Sequence, residues 1–159
     1  MNIKILCIGK LKEKYWTEAS DEYIKRIKRF SNITVSELPE EMCSDNPSSA
    51  TVKAVKEKEG ERLLQKVLPG EYCIVLDLLG KQVKSEGFAK LLADTMLGGK
   101  SSIVFIIGGS FGLSEAVAAR ADYVMSMSEL TFPHQMARVI ILEQLYRAMK
   151  INANEKYHK

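Results

Sequence analysis

Three stretches in the second half of the chain combine glycine, small polar residues and isolated large apolar ones. They are Leu76-Asp77-Leu78-Leu79-Gly80-Lys81, Gly108-Gly109-Ser110-Phe111-Gly112-Leu113, and Ser126-Met127-Ser128-Glu129-Leu130-Thr131-Phe132-Pro133-His134. Glycine lets a chain turn sharply out of a strand and lets a ligand approach bare backbone. The Gly108 stretch alone is equally an ordinary strand-to-helix turn. It is not Gly-x-Gly-x-x-Gly, since Gly108 and Gly109 are adjacent, and it lacks the Gly-Lys-Ser/Thr ending of a phosphate loop, which disfavours a dinucleotide or triphosphate ligand. In the third stretch Pro133 stands where a helix begins, a position at which its missing N–H costs little. The backbone groups before it are free for a ligand. Adenine asks for such groups plus an apolar slot, which Leu76, Met127, Leu130 and Phe132 can supply. Any one of the four taken alone reads better as a core residue. Farther on, Glu143 and Arg147 stand four apart with the acid first, the favourable helical order, and their plain role is a salt bridge. Two histidines without metal-ligand spacing are too few for a metal centre.

These stretches need elements to hold them. Ile3–Ile8 reads as a strand, Tyr15–Phe30 as an amphipathic helix with a basic back, and Ile33–Leu38 as a second strand stopped by Pro39. Glu40–Ser49 reads as a loop, with Ser48 or Ser49 capping a helix that runs to about Val67. The centre of that helix, Lys56–Arg62, is almost all charged and contains Gly60, which predicts a solvent-facing helix of low intrinsic stability. Strands at Tyr72–Leu76, Ile103–Ile107 and Tyr123–Met127 then alternate with helices at Phe88–Leu97, Ser114–Arg120 and His134–Lys150. Strands that are apolar throughout are covered on both faces, so the fold class is α/β with a mostly parallel sheet. Ligands of such sheets collect beyond the carboxyl ends of the strands, where all three stretches fall. The final helix carries Met136, Val139, Ile140, Leu142, Leu145, Tyr146 and Met149, a face broad enough to predict burial on two sides, one of them a subunit contact.

A chain of 159 residues with 46% apolar content fits one domain spanning 1–159. The formal charge is only +3, yet Lys10, Lys12, Lys14, Lys25, Arg26, Lys28 and Arg29 crowd the first thirty residues. A local basic excess suits an anionic partner such as RNA, and equally a solvated helix face. Cys7, Cys43 and Cys73 are widely spaced and read as small hydrophobes in a reducing compartment. No signal sequence or membrane-length apolar run is visible, so the expected location is the cytoplasm.

Taken together, Leu76-Asp77-x-x-Gly80-Lys81, Gly108-Gly109-x-x-Gly112-Leu113, Ser126-Met127-Ser128-x-x-Thr131-Phe132-Pro133-His134-x-Met136-x-Arg138 and Glu143-Gln144-Leu145-Tyr146-Arg147-Ala148, with Tyr157-His158-Lys159 at the end, resemble the ribosomal RNA large-subunit methyltransferase H family of the SPOUT class. The resemblance covers the full chain. It implies S-adenosylmethionine-dependent methylation of N3 of a pseudouridine in large-subunit (23S) ribosomal RNA, within the large subunit or the assembled ribosome, by a homodimer without metal or membrane attachment. It also implies a SPOUT-type α/β fold with a C-terminal trefoil knot, which periodicity and spacing do not reveal. By the same resemblance the cofactor contacts Leu76, Gly108, Met127, Ser128, Glu129, Leu130, Thr131 and Phe132. His158, Tyr157 and Arg147 then grip and deprotonate the base, with Glu143 holding Arg147 and the tail completed by the dimer partner. Two rival functions stand beside this one: a non-catalytic RNA- or ribosome-binding module, and an enzyme using another nucleotide in the Gly108 loop.

Overall fold

A computed structural model describes residues 1–158; Lys159, the last residue of the tail motif, lies outside the described residues. Five strands, β1 (Asn2–Ile8), β2 (Asn32–Leu38), β3 (Tyr72–Gln82), β4 (Ser102–Ile107) and β5 (Tyr123–Ser126), form one sheet in the order β2-β1-β4-β3-β5. Every pairing is parallel, and β4 is inserted between β1 and β3. The helices are α1 (Lys14–Ile27), α2 (Ser49–Leu64), α3 (Ser85–Leu97), α4 (Glu115–Arg120) and α5 (His134–Asn152).

Successive strand residues point to opposite faces, so a run with no polar member needs cover on both. Ile3, Ile5 and Cys7 of β1, with Phe105 and Ile107 of β4, pack against Phe88, Leu92, Ile141, Leu142 and Leu145 of α3 and α5. Their neighbours Leu6, Ile8, Val104 and Ile106 face the other way, onto Leu63 of α2 and Val117 of α4. Burial pushes the thiols of Cys7 and Cys73 up to about 11, so both stay protonated inside the core. Ser48 caps α2 by accepting the N–H of Thr51 at 3.1 Å.

Three features differ from the pattern-based expectation. First, α2 is not solvent-facing along its charged centre, because Glu59 and Gly60 are buried. A Cβ on Gly60 would lie 2.2 Å from Ser114 Oγ, so the glycine permits close approach to the start of α4. Second, β3 does not end at Leu76. Leu76 and Lys81 both pair with Met125, and the residues between them form a bulge that pushes Leu79 into solvent at 95% exposure. Gly80 lies flat on the β5 backbone, where a Cβ would come within 2.5 Å of the Met125 carbonyl carbon. Third, α5 packs against both α3 and α1 of its own chain, the latter through Tyr146 between Tyr23 and Phe30. Its breadth is therefore largely taken up internally, leaving a half-buried strip of Met136, Val139, Ile140, Glu143, Gln144 and Arg147.

Candidate functional site

The carboxyl ends of β3, β4 and β5 and the first turn of α5 enclose one cavity of about 720 Å³. That falls within the range of small-molecule sites, roughly 300–1,000 Å³. Of the residues expected to contact a cofactor, Leu76, Gly108, Met127, Ser128, Leu130, Thr131 and Phe132 line it. Glu129 is exposed and is not among the lining residues. The glycine loop closes on itself: Gly112 donates to the Gly109 carbonyl at 3.1 Å, and Gly112 has φ +83°, a conformation that disfavours any side chain. Gly108 is required for another reason, since a Cβ there would lie 2.9 Å from the Leu113 side chain and 3.2 Å from Gly112 carbon.

The loop after β5 is folded by its own serines. The buried Ser126 hydroxyl donates to the Ser128 carbonyl at 2.9 Å, and Ser128 Oγ accepts the Leu130 N–H at 3.0 Å. These bonds hold Met127, Leu130 and Phe132 around the cavity as an apolar slot beside exposed backbone. Adenine has the flat apolar faces and polar edges that such a slot accepts, and Gly108 brings bare backbone to the cavity wall. The residues present therefore fit S-adenosylmethionine. Among the described residues no group of His, Cys, Asp or Glu could hold a metal ion.

His134 also lines the cavity, a residue quoted in the motif but given no role by sequence reasoning. Its Nε2 lies 3.6 Å from Glu40 Oε1. One turn on, the fully buried Arg138 is ion-paired with Glu37 and donates to the Gly9 carbonyl at 2.8 Å, pinning the start of α5 to the ends of β1 and β2. The acidic character of the loop after Pro39 was the available signal for the Glu40 pairing alone, since Glu37 lies within β2.

The second group of expected site residues gathers at the other end of α5. Arg147 is ion-paired with Glu143, its guanidinium lies 4.8 Å from the Tyr157 ring centroid, and Tyr157 donates its hydroxyl to Glu143 at 3.2 Å. Burial first, then bonding to Tyr23, pushes the Tyr157 phenol up to about 12, so it remains a donor. His158 has Arg147 at 3.3 Å from Nδ1 and Glu86 at 3.0 Å from Nε2. Guanidinium can only donate, so Nδ1 accepts and the Nε2 proton goes to Glu86. Glu86 lies 72 residues away in sequence, and local reasoning had no means of pairing it. Its carboxyl is held below the usual range by its own backbone N–H and then by His158.

The cavity and this cluster do not meet within one chain. Arg147 follows His134 by thirteen residues, about 20 Å of helix at ~1.5 Å per residue.

A family model described as "Predicted SPOUT methyltransferase" matches residues 1–158. Relatives named ribosomal RNA large subunit methyltransferase H include those of Clostridium novyi (strain NT), 52% identical over all of both chains, and Ruminiclostridium cellulolyticum, 51% identical over all of both. That of Desulforamulus reducens is 46% identical over all of this chain and 99% of its own. Two solved structures share the fold at 12% identity and a TM-score of 0.53: a probable methylase family protein of Haemophilus influenzae Rd KW20, aligned over 99% of this chain and 70% of that one, and a probable methyltransferase of Bordetella pertussis Tohama I, over 92% and 95%.

Proposed function

The chain belongs to the SPOUT methyltransferase family, and from that premise we propose that it methylates N3 of a pseudouridine in large-subunit ribosomal RNA with S-adenosylmethionine. The observation that carries the reading is the single cavity in which the loops after three separate strands converge on Gly108. The relatives' names carry the substrate class, large-subunit ribosomal RNA, and the resemblance of the motifs carries the pseudouridine and its N3. The reading includes one domain over 1–159, the trefoil knot of the family, and work in the cytoplasm; no described helix is long and apolar enough to cross a membrane.

When bound, S-adenosylmethionine supplies a methyl group already activated on a sulfonium. The protein's work is then to position the acceptor, exclude water and remove the N3 proton. Leu76, Gly108 and the segment Met127–Phe132 hold the donor, with Glu129 at the outer edge of that segment. Arg147, held by Glu143, and Tyr157 grip the base, and His158 takes the proton once its Nδ1 is released from Arg147. The separation of cavity and tail along α5 supports a composite site, in which the tail of a second copy faces the cavity of the first. The half-buried strip of α5 is the surface offered for that contact. Light scattering at micromolar concentration is expected to give the mass of a dimer, and a fully active monomer would exclude the composite site.

Lys10, Lys12, Lys25, Lys28 and Arg29 are exposed on and around α1, whereas Arg26 is engaged by Glu22 at 2.7 Å and lies over the Tyr23 and Tyr146 rings. Neutralising each of the five is expected to lower the salt slope of RNA binding by about one per true phosphate contact, without altering which nucleotide is modified. Arg26 should contribute least. Mass spectrometry of ribosomal RNA from cells lacking the protein tests the function directly: the N3-methylated pseudouridine should vanish and return on complementation. Titration with S-adenosylmethionine separates the two rivals, since a pure binding module takes up none and an enzyme of another nucleotide prefers its own ligand.

A further inference from the structure

Glu59 is the most anomalous buried group outside the sites described. Its side chain is 5% exposed, and its Oε1 accepts the Glu41 N–H at 2.9 Å, tying α2 to the loop after β2. Its Oε2 is fully buried with no hydrogen-bond partner among the described residues. The nearby cations are committed elsewhere: Lys58 and Arg62 pair with Glu41, and Arg62 also donates to the Pro39 carbonyl at 3.0 Å. A structural bridge between helix and loop needs only Oε1. The second oxygen points at Gly109, where it lies 2.9 Å from the place a Cβ would occupy. Gly109 lines the cavity. Any other residue there would displace the carboxylate or put a side chain against it.

Resting on the reading of this cavity as the donor pocket, we propose that Glu59 is a specificity-determining residue: its negative charge, presented through the bare backbone of Gly109, favours the cationic sulfonium donor over the neutral thioether product. Glu59 does not line the cavity, so it acts through its field and not by contact. Surroundings that exclude water let that field reach farther than it would in solution. At an effective dielectric of ~20 and after partial screening, it should change a binding constant by roughly three- to tenfold.

The cost of keeping this charge is visible in the same residue. Burial foremost, then Glu40 and Glu41, raises the Glu59 carboxyl above its ordinary value, against the Glu41 N–H and Arg62, which lower it. Between the ordinary and raised values the folded protein holds the proton more tightly than the unfolded chain, so this group's contribution to stability falls as pH rises through that window. Glu59→Gln removes the loss while keeping an oxygen for the Glu41 N–H.

Calorimetric titration of the full-length protein at pH 8 with S-adenosylmethionine and with S-adenosylhomocysteine tests the assignment. Glu59→Gln should melt at or above wild type, hold the thioether within about twofold of wild type, and lose three- to tenfold of the preference for the sulfonium. Glu59→Asp, which keeps the charge, should retain most of that preference. Equal loss of both affinities, an unchanged ratio, or a Glu59→Gln protein less stable than wild type would each overturn it. A wild-type protein that binds neither compound overturns the donor-pocket reading instead, which keeps the two failures apart.

Discussion

Deletion of residues 157–159 is expected to reduce methyl transfer by at least roughly 10² to 10⁴, the range of general-base assistance, while donor affinity stays near wild type. Loss of the positioning contacts made by Tyr157 adds to that figure. The separation of effects follows from geometry, since the tail groups contact Glu143, Arg147 and Glu86 and none of them lines the cavity. His158→Ala should cost less than the deletion, because Tyr157 keeps its bond to Glu143 and its place beside Arg147. The pH profile divides the roles: a His158→Ala rate that recovers as pH rises marks proton abstraction, and a loss independent of pH marks a grip on the base. Glu86→Gln should perturb His158 without unfolding α3, since Glu86 is exposed on its first turn. Single-turnover kinetics on the natural RNA is the measurement. A truncated protein with wild-type turnover would leave Glu143 and Arg147 as the remaining candidates.

Gly108→Val is expected to weaken S-adenosylmethionine binding by at least about 100-fold, or about 2.8 kcal/mol at ~1.4 kcal/mol per decade, with the fold preserved. Gly108 is not among the positive-φ glycines, so the backbone accepts a side chain. What it lacks is room: the new Cβ meets the half-buried Leu113 side chain at 2.9 Å and the Gly112 carbon at 3.2 Å, and all three residues line the cavity. Leu113 can yield, whereas a bound donor would lose its approach to the backbone. Gly112→Val is the contrasting substitution, because φ +83° strains the backbone itself and stability should fall with affinity. Calorimetry beside a thermal melt distinguishes the two. Normal affinity in a folded Gly108→Val protein would move the donor out of this cavity.

The elements most legible in the sequence were those whose pattern and burial agree. The apolar runs that open β3 and make up β4 announced a sheet covered on both faces, and Ser48 announced the start of α2. The loops of the cavity were legible as a set because strand ends define where ligands gather, and seven of the eight expected cofactor residues line it. Glu59 and Gly60 were misread because a run of charge and a glycine ordinarily mark a solvated, weak helix. Here the glycine admits Ser114 and the acid lies under Gly109, contacts made by distant residues. The bulge in β3 was hidden for the opposite reason: Asp77 and Gly80 mark a strand end, yet Lys81 and Gln82 return to pair with β5. Docking of the tail depends on the Lys150–Glu155 pair, the positive φ of Asn154, and Glu86, none of which leaves a periodic trace.

The insertion of β4 between β1 and β3 has a consequence for how the polypeptide matures during synthesis. Asn2 pairs with Ser102, so a hundred residues separate two strands that lie side by side at the middle of the sheet. Until β4 has emerged, β1 has only β2 beside it, and both β1 and β3 present unpaired edges with apolar faces, the kind of surface on which nascent chains aggregate. Closure over so long a separation is entropically slow and places the chain among late, high-contact-order folders. The last helix to leave the ribosome, α5, supplies Ile141, Leu142 and Leu145 to the same core, so the N-terminal half waits for the C-terminal half before it is covered.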